Sequence, residues 1–324
     1  MATTASQSSL GVWVPPPGVT GHAGEPIPPD SSFFVPPPPE IGEIRSAYAS
    51  LKAGAKTRSQ GTRITLAVIW VIVPILVAAA IVFLGGATFE EGVIAFGIAV
   101  VLGAVAAVIA WTVTRFKHAC EFVGTDGCVV LKCRDAVENV QIEKSLRFKD
   151  AASLATSTTR YHKGGRYQHT LYQFQWFPPQ SDREIFNLLG FIHEDRGAPP
   201  AGDPYNLGRA MENAWYAYLL PRLQAELAAN GSISFQMDAK RRARVGAGFI
   251  EIAEEGGAVH RCEAGDIGSA KLASGTFTLT RKDSESRFFG LLAPSGEFQF
   301  DYAKMHNGRA FLFAFENLLG IKLG

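Results

Sequence analysis

The chain has 324 residues, with 31 Lys+Arg against 30 Asp+Glu and 47% apolar residues. Balanced charge gives no general basic field, so no nucleic-acid partner is expected. Charged residues are only 19% and mean hydropathy is slightly positive, which points to a membrane segment, while four irregularly spaced cysteines exclude a disulfide scaffold.

Ten of the 18 prolines fall in residues 1–40, among Ser, Thr, Gly and Ala. Proline removes amide donors and fixes φ, and few large apolar groups are present to offset chain entropy. Residues 1–40 are therefore expected to be a disordered, Pro-rich tail, partly polyproline II. Its proline runs could dock in the aromatic groove of a protein partner. Residues 41–63 are read as a juxtamembrane segment. Within it Ile41, Ile44, Tyr48 and Leu51 recur at helical spacing, which predicts a short helix over 41–58.

Residues 64–86 and 92–114 are two 23-residue runs without a charge. At 1.5 Å per residue each reaches roughly 34 Å, enough for a bilayer core of ~30 Å. Lys52, Lys56, Arg58 and Arg63 precede the first run, Arg115 and Lys117 follow the second, and Glu90 and Glu91 lie between them. Positive flanks stay inside, so residues 64–114 predict a two-helix hairpin in the plasma (inner) membrane with both termini cytoplasmic. Pro74 should kink the first helix. Ala95, Ala99, Gly103 and Ala107 form a small-residue ladder on the second, suited to close helix packing within the hairpin or in a homo-oligomer. Neither run holds an Asp, Glu, Lys, Arg or His, which argues against a two-helix transporter.

The rest of the chain reads as two β-rich modules, 115–230 and 231–324. Strands at 119–123 and 128–133 flank the turn Gly124-Thr125-Asp126-Gly127, and strands at 154–161 and 167–177 flank Lys163-Gly164-Gly165. A helix follows over 204–230, with Pro221 expected to interrupt it and Gly231 to stop it. Short strands return at 232–237, 242–245, 249–252, 271–272, 276–280, 288–292 and 298–302, before a helix over 307–319. Gly208-Arg209-Ala210 in one helix and Gly308-Arg309-Ala310 in the other are 100 positions apart, which suggests a duplication.

Short antiparallel strands closed by one amphipathic helix resemble a pleckstrin-homology-like (PH-like) module. The hairpin, the GTDG turn at 124–127, the YHKGGRY turn at 161–167 and the two Gly-Arg-Ala helices together resemble uncharacterised bacterial two-helix membrane proteins with PH-like cytoplasmic domains. The likeness is one of layout. It implies an α+β fold, a transmembrane α-hairpin followed by two PH-like modules, and a binding or scaffolding role at the membrane. It carries no catalytic residues.

The chemical motifs are absent: no HExxH, Walker lysine loop or GxGxxG occurs. Cys128 and Cys133, five apart on one strand, point to opposite faces, so no metal site is read among them, His118 and Cys120. No cofactor is expected and the chain is not read as an enzyme. Two basic clusters remain. Arg160, Lys163 and Arg166, with His162 and His169, surround a hairpin tip and are candidates for contact with anionic lipid headgroups. Lys240, Arg241, Arg242 and Arg244 lie in a turn of the second module. The expected function is a membrane-anchored interaction or scaffold module; the alternatives are a subunit of a transport or channel assembly, or an enzyme with a cleft between the modules.

Overall fold

The computed structural model describes residues 12–27, 34–50, 60–86, 88–113, 117–134, 140–238, 240–257, 259–282 and 297–323. Both uncharged runs form helices, α1 (Gln60–Gly85) and α2 (Phe89–Val113), paired as a hairpin and each long and apolar enough to cross a bilayer. α1 continues through Pro74. The small-residue ladder faces α1: Ala99 and Gly103 are buried, Ala95 and Ala107 half-buried. A Cβ on Gly103 would stand 3.1 Å from the Val71 carbonyl oxygen, so glycine is what lets the two backbones touch. At the base, Arg63 is 1% exposed. It donates to the Trp111 carbonyl at 3.3 Å, and its guanidinium lies 4.2 Å from the Trp111 ring centroid.

The hairpin does not precede the first module; it is inserted in it. β1 (Ile44–Ala49) comes before α1 and β2 (Lys117–Gly124) after α2, yet the two pair antiparallel, Ala47 opposite Phe122 and Ala49 opposite Cys120. β3 (Gly127–Arg134) and β4 (Val140–Arg147) complete a four-stranded meander. Within the helix expected over 41–58, Ile44–Ala49 is a strand and residues 51–58 lie outside the described residues; the first module begins before α1, not at 115. Pairing explains the change. The β1 backbone bonds β2 on one side, and on the other the Ala47 N–H donates to the Thr20 carbonyl at 2.9 Å. Tertiary pairing of this kind overrides a short stretch of helical spacing.

β5 (Ser153–Lys163), β6 (Arg166–Phe177) and β7 (Phe186–Ile192) form a three-stranded antiparallel sheet, and α3 (Pro204–Asn230) follows. Asp203 caps α3 by accepting from the Tyr205 N–H, and Gly231 ends it at φ 67°. The helix runs through Pro221, which sits on its exposed face, where water can serve the carbonyl that proline leaves unpaired. The order then repeats. β8 (Ser232–Gln236), β9 (Arg241–Gly246), β10 (Phe249–Glu254) and β11 (Val259–Glu263) make a four-stranded meander. β12 (Ile267–Ala273), β13 (Thr276–Arg281) and β14 (Glu297–Asp301) make a three-stranded sheet, and α4 (Gly308–Leu319) follows. The strand expected at 288–292 lies outside the described residues. Burial keeps the 100-residue offset between the helices: Met211 and Phe311, Trp215 and Phe315, Leu219 and Leu319 are all buried. Matching topology and matching burial together are the structural form of a duplication.

One core runs through both modules. Asn307 joins them, its Oδ1 accepting from the Leu154 N–H at 3.1 Å and the Trp215 indole N–H at 2.9 Å. A second, smaller core lies on the opposite face of the β1–β4 sheet, where Phe34, Val35 and Ile41 cover Cys120, Phe122, Val129 and Leu131. Residues 12–27 and 34–41 are therefore a folded strap, not the free tail expected over 1–40.

Candidate functional site

The strap is held by aromatic packing and by one buried polar contact. Trp13 stands edge-on between Phe34 and Phe122, with ring centroids at 5.5 and 5.3 Å. Thr20 then brings the strap alongside Arg45 and Ala47 of β1, and a tight turn over 21–24 drives His22 beneath it. His22 Nδ1 is 2.9 Å from Ser46 Oγ, and its Nε2 is 3.6 Å from a Glu121 carboxylate oxygen. Burial lowers the His22 pKa to about 3. Burial, reinforced by Glu143, raises Glu121 to about 7, with Lys132 opposing. Between about pH 3 and pH 7 the pair is a neutral imidazole beside a protonated carboxyl. The fully buried His22 side chain makes this a fastening between strap and sheet, not a nucleophile pair open to substrate.

Above this fastening a cleft of about 960 Å³ opens between the strap turn, Arg45 of β1, the β2–β3 turn and one face of α3. Ala210, Ala214 and Ala217 of α3 give it a floor of small side chains. Arg209, Asn213, Thr125 and Asp126 give it donors and acceptors along the walls. The cleft lies within the first module. The joint between the modules, where an enzyme site was an alternative, is packed by Asn307 and by His306, which stacks on Phe177 at 4.8 Å.

Beside the cleft the duplicated Gly-Arg-Ala signatures converge on Glu212. Arg209 bonds the Glu212 carboxylate, and Arg309 donates to Asn213 Oδ1 at 2.7 Å. Glu212 is 3% exposed; burial raises its pKa, and both arginines oppose the rise. Gly208 allows α3 to lie on Phe174, where a Cβ would come within 2.4 Å of the ring. The signature thus has a structural use in both copies.

The basic clusters fare differently. Lys163 and Arg166 are exposed at the β5–β6 tip. Arg160 instead makes a two-pronged bond to Glu194, at 3.0 and 3.3 Å. In the second module Arg241 pairs with Asp238, Arg242 with Gln236, and Arg244 with Glu251 and Ser232. Cys120 and Cys128 face different cores. Sequence reasoning missed His22, Ser46 and Glu121. The one signal for them was the unbroken apolar run Cys128-Val129-Val130-Leu131, which marks a sheet covered on both faces. No protein-family model and no curated protein sequence matches the chain.

Proposed function

We propose that the chain is a membrane-anchored interaction module: a transmembrane hairpin, with both termini cytoplasmic, that holds two PH-like modules against the inner leaflet. The observation that carries this reading is the insertion of α1 and α2 between the paired strands β1 and β2. Only residues 114–116 separate α2 from β2, a span of about 14 Å at full extension. The first module is thereby kept at the membrane surface. The repeated order of four strands, three strands and a helix supports the PH-like assignment. The mixed polar and small apolar lining of the cleft suits an extended segment of a protein partner.

Two measurements test the reading. A cysteine at Glu90 should label with an impermeant maleimide from outside the cell, and cysteines at either terminus should not; labelling of a terminus would overturn the topology. A photo-crosslinking residue at Ala217, in the cleft, should give a discrete adduct in native membranes that one at Asn317 does not. The absence of an adduct, or the same adducts from both positions, would remove the cleft as the docking surface.

A further inference from the structure

The β5–β6 hairpin outruns its sheet. The β6–β7 ladder ends at Thr170 opposite Ile192, while β5 and β6 stay paired to Lys163 opposite Arg166. The overhang is a two-stranded ribbon, a form that is marginal in water without added contacts. Gly164 and Gly165, at φ 57° and 75°, make the tight turn that sets Lys163 beside Arg166. Neither charge has an ion-pair partner among the described residues, whereas Arg160 is neutralised by Glu194. On the outward face Tyr161 stacks on His169 at 4.8 Å, and Phe191 meets the same imidazole edge-on at 5.4 Å. Tyr161, Phe191 and Leu189 remain 44%, 51% and 44% exposed.

The direction of the ribbon follows from its two ends. β5 starts against the second module, where Leu154 and Ala155 bond Asn307 and His306. Its tip is nine residues further on, roughly 30 Å away along a strand. β7 runs the same way as β5 and leads on to Gly202, which packs against Tyr48 one residue before the end of β1. There the chain departs for α1. The ribbon points away from the second module, towards the side from which the membrane helices leave.

We propose that this tip and outward face dock on the anionic headgroup region of the bilayer that α1 and α2 span, an inference that rests on the membrane-anchored reading above. Lys163 and Arg166 supply the attraction, and Tyr161 and Phe191 supply rings suited to the interface. Arg160 is not part of the contact.

The test uses the full chain, one copy per nanodisc, in neutral and in anionic lipid, read by amide hydrogen exchange. Exchange over 160–169 and 189–192 should slow at least about fivefold in anionic discs, the effect of one charge near such a surface. Lys163→Glu with Arg166→Glu should abolish the difference, and Tyr161→Ser with Phe191→Ser should reduce it, with β8–β11 protection unchanged as the check on folding. Equal exchange in both lipids, or slowing that survives the charge reversal, overturns the proposal. Loss of bilayer protection in α1 and α2 would instead overturn the anchored reading itself.

Discussion

His22 and Glu121 are a pair whose titrations cancel. In the unfolded chain near pH 5.5 the histidine carries a proton and the glutamate does not; in the folded chain the proton is on the glutamate. Proton counts match, so the pair adds no pH dependence between about 4.5 and 6.5. Alone, each would tilt the curve. His22, lowered to about 3, contributes a cost that grows as pH falls from 6.5; Glu121, raised to about 7, contributes one that grows as pH rises from 4.5. Glu121→Gln should therefore unmask the histidine limb, with stability rising by about 1.4 kcal/mol per pH unit between 4.5 and 6.5. His22→Gln should give the opposite slope. Urea midpoints across that range check both, and a flat profile in either variant would show that the pair does not sit buried under the strap.

At the scale of elements, the strap is the part that composition misreads. Ten prolines and few large apolar residues describe a chain that cannot fold alone, and that description holds for the segment in isolation. The strap folds because β2 and β3 present Cys120, Phe122, Val129 and Leu131 on one face, and Trp13, Phe34, Val35 and Ile41 reach it. Phe34→Ala should cost about 3–5 kcal/mol, the usual range for a buried phenylalanine, and should expose the strap to protease. An unchanged denaturation midpoint would mean that the segment does not pack. The hairpins at 124–127 and 164–165 and the helix end at Gly231 were legible because their signals are local. β1 was not: Cys120, opposite Ala49, is 71 positions away, beyond α1 and α2, and a six-residue stretch carries both periods. The lipid-contact candidates were legible as charges, but the Glu194 that neutralises Arg160 is brought to it only by the β6–β7 ladder and the turn after it.

For the whole molecule the consequence of the insertion is that the α1–α2 hairpin is joined at both ends to one sheet. A tail-anchored domain hangs on a single linker; here the chain leaves for α1 and returns from α2 at the paired ends of β1 and β2, and Asn307 bonds Leu154 and Trp215 of the same module to the second. The most direct test uses a single substitution. Ser50 and Ala119 form a hydrogen-bonded pair, which makes Ala49 and Cys120 a non-hydrogen-bonded pair, the closer of the two spacings and the one that suits a cross-strand disulfide. Ala49→Cys should be oxidised to a bond with the native Cys120 in membranes. After cleavage at a protease site placed at Ala87, the two halves of the chain should run as one species without reductant and as two with it. Separate halves under both conditions would contradict the insertion of the hairpin between paired strands.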